Sequence, residues 1–211
     1  MQSVPSQQST IIFDQSELAR MIWVPCMPVL PEGPESWANE SAQTWWALSS
    51  LRPNKRQLQD LTRDLAARLL AIHEEIYAAG LCQVAVLHLP DPRMDPLPVQ
   101  FGIWQMDGQR EERLRDLLGI VSAADSTAEE ITTDRLGTGL RYLGHWPFPD
   151  ATGGRLSYAW RSESYATDLS VTASHPNMGR VTQAMPDIEA LLRVTAIVPV
   201  QRSGQEHQDG G

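Results

Sequence analysis

The stretch that decides the fold is residues 54–105, which read NKRQLQDLTRDLAARLLAIHEEIYAAGLCQVAVLHLPDPRMDPLPVQFGIWQ. Its first half has apolar residues at spacings of three and four, the pattern of one face of an amphipathic helix. These residues are Leu58, Leu61, Leu65, Leu69, Ile72 and Ile76. Gly80 stands where a left-handed residue ends such a helix, and Leu81–Leu89 then begins an apolar, β-branched run. A helix followed directly by strands predicts a globular α+β chain.

Strand patterns continue beyond this helix. Leu81–Leu89 and Val99–Met106 are predicted strands joined by the proline-rich turn Pro90–Pro98. We expect an antiparallel hairpin, because a parallel return needs a crossover of about a dozen residues or more. Apolar and polar residues then alternate with period two in further runs, as in half-buried strands. The three predicted strands there are Thr138–Trp146, Arg155–Glu163 and Tyr165–Ser174.

Apolar faces and helix breakers predict three further helices. They span Glu35–Ser50, Gln109–Leu118 and, from a start at Pro186, Asp187–Val194. Asn54 is the expected N-cap of the long helix, and Asp107 that of the short one. The predicted fold class is α+β, with a single antiparallel sheet and with a long N-terminal helix and a C-terminal helix packed on one face. We expect one domain over residues 11–200, between disordered tails at 1–10 and 201–211.

Three segments outside these elements carry weaker signals. Met21–Leu30 contains several prolines, which exclude a central strand, so we expect an extended segment over the core or along a sheet edge. A cluster of acidic residues predicts a solvated linker. Its members are Asp125, Glu129, Glu130 and Asp134. Ala196–Val200 is predicted to be a last short strand.

Composition excludes several classes of function. The chain has 211 residues and a net charge of −9, which disfavours nonspecific binding to nucleic acid or to an anionic membrane. No run approaches the roughly 18–20 apolar residues of a membrane span, and we expect a cytoplasmic location without a secretory signal. Cys26 and Cys82 fit neither a disulfide framework nor a zinc motif. Since a glycine-rich phosphate loop is also missing, we predict no metal and no cofactor.

Polar residues on the predicted strands define one candidate cleft. Arg141 and His145 share a face of one strand, while Arg161 and Asp168 lie on the two strands that follow, with Glu163 near them. Such a group would suit a small enzyme with a polar cleft on the sheet. The outward face of an ordinary sheet has the same pattern, so we predict no catalytic residues and keep the enzyme as an alternative.

The seven tryptophans are the one compositional excess. Tryptophan combines a large apolar ring with a polar N–H group, so it occurs in cores and at protein interfaces. We predict that four of them bind a partner: Trp23, Trp37, Trp45 and Trp46. Because no catalytic motif is present, the predicted function is a non-enzymatic interaction factor of the adaptor, chaperone or immunity type. Its partner is another protein, and a homodimer is an open alternative.

The strand-rich order that closes on a helix resembles the PsbP-like group of small α+β binding proteins. The last two-thirds of the chain is also similar to accessory proteins that are common in GC-rich bacteria. The helical first third departs from the PsbP-like pattern, and neither resemblance implies roles for particular residues.

A further alternative comes from the final residues, Gly210 and Gly211. Ubiquitin-like modifiers and sulfur carriers end in two glycines, because only glycine passes through the narrow channel of the activating enzyme. The compact fold of such carriers is much smaller than this chain. A flexible tail is often rich in glycine as well, so the modifier function stays an alternative.

Overall fold

The computed structural model describes residues 9–14, 22–27, 30–78, 84–120 and 128–200. These residues form nine strands and four helices, joined in one place by a short 3-10 turn at Glu163–Tyr165. In chain order the elements are β1 (Ser9–Phe13), β2 (Trp23–Cys26), α1 (Pro34–Leu48), α2 (Lys55–Ala78), β3 (Val84–His88), β4 (Leu97–Gln105), α3 (Arg110–Leu118), β5 (Glu129–Thr133), β6 (Gly137–Phe148), β7 (Ala151–Ser162), β8 (Thr167–His175), α4 (Met178–Arg193) and β9 (Thr195–Pro199).

Seven of these strands form one antiparallel sheet in the order β2-β3-β4-β8-β7-β6-β5. The predicted hairpin of β3 with β4 and the predicted run of three neighbouring strands from β6 to β8 are therefore confirmed. The prediction of a single sheet is wrong, because β1 and β9 pair with each other in a second, two-stranded sheet. Ser9 and Thr10, which we predicted as part of a disordered tail, are paired residues of β1.

The long helix α2 begins as predicted. The side chain of Asn54 accepts a hydrogen bond from the backbone N–H of Gln57 at 3.0 Å. The backbone N–H of Asn54 in turn donates to the Gln57 side chain at 3.3 Å. This reciprocal pair satisfies two donors at the start of the helix, as in a capping box. Of the predicted apolar stripe, Leu65, Leu69 and Ile76 are buried. Leu61 and Ile72 are half-buried against the same core, and Leu58 is exposed.

The long helix and the C-terminal helix lie on opposite faces of the sheet. Side chains of Ala85 and Leu87 in β3 belong to a core shared with α1 and α2, while Val86 between them belongs to the core under α4. Because successive residues of a strand point to opposite faces, the two helical layers are on opposite sides. The prediction that both helices pack on one face is therefore wrong. We call the two sides the α1/α2 face and the α4 face.

The short helix α3 covers the other end of the α1/α2 face. Its buried Leu114 and Leu118 pack on Ala159 of β7. Ala159 is opposite Ser170 of β8, which is opposite Gly102 of β4. The α1/α2 face is thus covered at both ends by helices.

Two helix boundaries differ from the predictions. Pro186 lies inside the continuous helix α4 and does not start a new helix. An internal proline costs about 3 kcal/mol, but α4 offsets this by burying one long apolar face. Its buried apolar residues are Val181, Ala184, Ile188, Leu191 and Leu192. Helix α3 has Gln109 and not Asp107 at its N-cap, and Gly119 takes a left-handed conformation at its end.

The edges of the large sheet are its proline-containing and acidic strands. Strand β2 is the edge beside β3, and its exposed Pro25 cannot donate to a further strand, which confirms an extended segment at a sheet edge. The opposite edge is β5, where Glu129 and Glu130 are exposed. We predicted a solvated linker there, and the finding corrects this: the pairing of β5 with β6 makes it a strand whose charges discourage edge-to-edge association.

Several predictions fall on residues outside the described ranges. They concern the helix-ending Gly80, Cys82, the acidic Asp125, most of the N-terminal tail and the C-terminal tail with its two final glycines. Within the described ranges, none of the helices has both the length and the apolar composition that a membrane span requires.

Candidate functional site

The four tryptophans of the predicted partner surface divide into two pairs. Trp23 and Trp46 are enclosed in the hydrophobic core, so a partner does not reach them in this structure. Trp37 and Trp45 are half-buried on helix α1. The helix explains the division: Trp46 belongs to the inward stripe with Ala38 and Ala42, whereas Trp37 and Trp45 follow the neighbouring stripe at the same spacing of four.

Both half-buried indoles are held in place by their N–H groups. Trp37 donates a hydrogen bond to the backbone carbonyl of Pro25 in β2 at 3.0 Å. Trp45 donates to the carbonyl of Leu89, just after β3, at 2.7 Å. The polar end of each ring therefore points toward the sheet and is satisfied there. What remains at the surface is the apolar part of two rigidly oriented rings.

A recess lies at each end of this stripe. Near the start of α1, a recess of about 260 Å³ is lined by Trp37, Ser41 and the preceding loop from Leu30 to Gly33. Near its end, a second recess of about 230 Å³ is lined by Trp45, Leu48, the residues that follow the helix, and the turn 90–93. Leu48 is 57% exposed. We call the stripe of Trp37, Ser41, Trp45 and Leu48, with its two recesses, the α1 surface.

The two recesses differ in charge. Glu32 and Glu40 line the recess at the start of α1, and no cation pairs with either of them among the described residues. At the other recess, Arg93 donates hydrogen bonds to Asp91, and this lowers the pKa of the Asp91 carboxyl. Within the described ranges, the first recess thus presents two carboxylates without a cationic partner, and the second presents a neutralised pair.

Two of the predicted cleft residues form an internal ion pair. Arg161 binds the fully buried Asp168 through two hydrogen bonds, of 2.7 Å and 3.0 Å. Arg161 also donates to the carbonyls of Asp107 and Gly108 at 2.6 Å and 3.0 Å. The hydrogen bonds to Asp168 raise the pKa of Arg161. This group therefore ties the segment before α3 to strands β7 and β8, which is a structural role.

The other two predicted cleft residues lie on the opposite side of the sheet. Arg141 is opposite Tyr158 of β7, and the odd spacing between Tyr158 and Arg161 places Arg141 and Arg161 on different faces. Arg141 forms ion pairs with Glu129 and Glu189, which raise its pKa. His145 is exposed on the same strand. The four residues do not form one cleft.

A buried polar network under α4 was not foreseen. His88 Nε2 is 2.9 Å from Asp187, and His88 Nδ1 is 2.9 Å from a guanidinium nitrogen of Arg180. Because a guanidinium only donates, Nδ1 must accept and Nε2 carries the proton toward Asp187. Burial lowers the pKa of His88, although its hydrogen bond to Asp187 opposes this. The network holds α4 on β3 through a neutral imidazole.

The amino-acid sequence gives little indication that these three side chains meet. Arg180 and His88 are 92 positions apart in the chain, and the pattern around each resembles an ordinary strand or helix. A histidine inside an apolar strand was the only signal. Within the described ranges, no group of three or more histidine, cysteine, aspartate or glutamate residues is arranged to hold a metal ion.

Comparisons with known proteins find a distant structural neighbour. The sequence matches no family model and no curated protein. Among solved structures, the chain is similar to LpqN of Mycobacterium tuberculosis, described as involved in cell envelope biogenesis. The two chains are 10% identical with a TM-score of 0.48, and the match covers 93% of this chain and 87% of LpqN. The chain thus has a distant structural neighbour in a GC-rich bacterium, while the resemblance to the PsbP-like group stays a prediction.

Proposed function

We propose that this chain is a non-enzymatic interaction factor that binds another protein through the α1 surface. The observation that carries the proposal is the pair of anchored tryptophans, Trp37 and Trp45, each beside an open recess on one helix. Aromatic rings that are already fixed lose little conformational freedom when a partner covers them, which favours their use as anchors.

The dimensions of the α1 surface suit a protein segment. Trp37 and Leu48 are eleven positions apart on α1, which corresponds to about 16 Å along the helix. Two shallow recesses at that separation match two apolar side chains of one extended or helical segment. A stable complex would bury about 1,200–2,000 Å² in total, so the partner would also cover the neighbouring loops.

Charge narrows the chemistry of the partner. Glu32 and Glu40 lie beside the first recess with no cationic partner among the described residues, and the whole chain carries −9. We therefore expect a basic side chain in the partner segment next to the apolar residue that enters this recess. Association should weaken as salt is added, because exposed charges are screened within about 10 Å at 0.1 M ionic strength.

The test begins with recovery of the partner from the native host and continues with purified components. Leu48→Lys places a charge in the apolar part of the α1 surface, and we expect the purified partner to bind at least about tenfold more weakly, a loss of about 1.4 kcal/mol. Leu143→Lys is the matched control, since Leu143 is also exposed, at 39%, but lies on β6. Binding by surface plasmon resonance gives the comparison.

Two results would contradict the proposal. One is equal binding of the partner by the wild type, Leu48→Lys and Leu143→Lys. The other is a stable homodimer in sedimentation equilibrium that Leu48→Lys disrupts, because the α1 surface would then join two copies of this chain. A second copy is acidic, so the expected basic residue of the partner argues for a different protein.

A further inference from the structure

A separate cleft of about 380 Å³ lies between α2 and the large sheet, and Gln100 of β4 and Ser174 of β8 line it. Gln100 is opposite Ala85, which belongs to the core under α1 and α2. Ala173, the neighbour of Ser174, belongs to the core under α4. Because side chains alternate between faces, Gln100 and Ser174 both point to the α1/α2 face and form the floor of the cleft. Small-molecule sites have volumes of roughly 300–1,000 Å³, so the cleft is of that size.

Apolar side chains form the walls of this cleft. Ile72 and Ile76 of α2 line it, as does Phe148 at the end of β6. A side chain at Gly153 would come within 2.7 Å of the Phe148 ring and 2.6 Å of the backbone at Pro176. The glycine therefore lets the ring lie close to the end of β8, where Pro176 also lines the cleft. These walls suit a compact apolar body.

The floor of the cleft has hydrogen-bonding groups that the chain itself does not use. Within the described ranges, neither the Gln100 nor the Ser174 side chain forms a hydrogen bond, and both residues are half-buried. The carboxamide of Gln100 has an acceptor oxygen beside an NH2 donor, and the hydroxyl of Ser174 can donate or accept. The floor therefore offers donors and acceptors together without a charge.

The charged groups around the cleft disfavour an anion. Glu75 and Asp95 line it and are both exposed, which places them at its rim. Arg68 lines it too, but its three guanidinium nitrogens already donate to an aspartate one helical turn earlier and to carbonyls of the loop before β4. The Nδ1 atom of His175, another lining residue, accepts the backbone N–H of Asn177 at 3.0 Å, so this ring is neutral.

We propose that this cleft binds a small neutral molecule that has a carboxamide at one end and an apolar body at the other. A carboxamide matches the Gln100 side chain, because two such groups can exchange a pair of N–H···O hydrogen bonds. The hydroxyl of Ser174 supplies a further donor or acceptor beside them. The apolar body then covers Ile72 and Phe148, and the removal of these apolar surfaces from water favours binding.

The same floor discriminates against charged relatives of such a ligand. A carboxylate has no donor for the oxygen of Gln100, and Glu75 and Asp95 repel it. An ammonium group has no acceptor for the NH2 of Gln100, and it loses its hydration on a floor without a charge to replace it. Only a group with a donor and an acceptor side by side satisfies both ends of the Gln100 carboxamide.

The probe is hydrocinnamamide, titrated into the full chain and followed by heteronuclear NMR. A neutral molecule of this size is expected to bind with a Kd on the order of 1 mM. Hydrocinnamate and the ammonium analogue, in which an aminomethyl group replaces the carboxamide, keep the apolar body and change only the polar end. Each should bind at least about tenfold more weakly than hydrocinnamamide, because hydrogen bonds to the floor are lost.

Matched variants separate this site from unspecific effects and from the α1 surface. Gln100→Leu removes the carboxamide from the floor but keeps a side chain of similar size, and it should weaken hydrocinnamamide binding about tenfold. Gln105→Leu is the control, since Gln105 lies on the same strand but is exposed and on the opposite face. It should leave binding unchanged. Leu48→Lys should also leave it unchanged, so failure of this site and failure of the α1 surface are distinguishable.

The proposal is overturned if the wild type does not bind hydrocinnamamide or binds all three probes equally. It is also overturned if Gln100→Leu binds hydrocinnamamide as tightly as the wild type, or if Gln105→Leu weakens binding as much as Gln100→Leu does. Should Gln100→Leu fail to fold, intermolecular NOEs of hydrocinnamamide in the wild type decide. Contacts to Phe148 and Ile72 support the site, and their absence overturns it.

Discussion

The two faces of the large sheet are covered in different ways. On the α4 face, a single long helix and the small sheet of β1 and β9 enclose one continuous apolar core. On the α1/α2 face, separate helices cover the two ends, and the register places Ser157, Thr172 and Gln100 side by side across the strands between them. Divided coverage leaves the recesses beside α1, whereas on the α4 face the apolar side chains of one helix and of the small sheet pack into a single core. The proposed α1 surface lies on the divided side.

The largest loss in the free energy of unfolding is expected from a substitution in the core beneath the α1/α2 face. Leu65→Ala removes a fully buried side chain of α2 and should lower the free energy of unfolding by about 2–5 kcal/mol, from lost burial and the cavity left behind. Leu58→Ala on the same helix is the control, because Leu58 is exposed and its change should stay within about 0.5 kcal/mol. Urea unfolding measures both. A small effect at Leu65 would show that this face lacks a true core.

A pH-dependent change should follow from the polar network of the α4 face. The pKa of His88 is lowered in the folded chain by burial, so the unfolded state binds a proton more readily. The stability from neutral His88 is therefore complete above the unfolded pKa of about 6.5. It is lost progressively as the pH falls from there toward the lower folded pKa, because protonated Nδ1 would face Arg180.

The measurement is urea unfolding at pH values between 5 and 8. Wild type should lose stability on the acid side more steeply than His88→Gln, in which the titrating group is absent. His145→Gln should follow the wild type, since His145 is exposed. Parallel curves for the wild type and His88→Gln would show that His88 does not link α4 stability to pH.

How far the sequence predicts this molecule depends on the distance between the residues involved. The long helix, its Asn54 cap and the β3–β4 hairpin follow from contacts within about fifty positions, and local periodicity found them. The pairing of β1 with β9 joins the two ends of the described chain, and no local pattern records it. The side of the sheet on which each helix packs also depends on contacts between residues distant in the sequence. This explains the wrong prediction that α2 and α4 pack on one face.

In the candidate site, too, the sequence predicts features that depend on local spacing and misses those that depend on distant contacts. Helical spacing separates Trp46, on the stripe of Ala38 and Ala42, from Trp37 and Trp45, so the sequence held a signal for which tryptophans are enclosed. The prediction that all four tryptophans bind a partner is wrong for the two enclosed ones, Trp23 and Trp46. The pairing of Arg161 with Asp168, in contrast, depends on strand register across β7 and β8, and a polar pattern cannot distinguish an internal ion pair from a cleft.

The smallest effect should appear at the anchored rings of the α1 surface. Trp45→Phe keeps an aromatic ring but removes the N–H that donates to Leu89, and unfolding should become easier by about 0.5–1.5 kcal/mol. Partner binding should weaken as well, because the ring is no longer fixed. Thermal unfolding measures the contribution of Trp45 to stability, and surface plasmon resonance measures its contribution to partner binding. Unchanged stability would indicate that the hydrogen bond does not hold the ring.

Hydrogen–deuterium exchange tests most directly whether the partner binds the α1 surface and leaves the α4 face unchanged. Exchange is measured for the chain alone and for the chain with its purified partner. Backbone amides of the segments that line the α1 recesses, residues 30–33 and 49–51, should exchange more slowly in the complex. Helix α4 should exchange equally in both samples. Protection confined to α4 or to the β5 edge, with residues 30–33 and 49–51 unchanged, would contradict partner binding at the α1 surface.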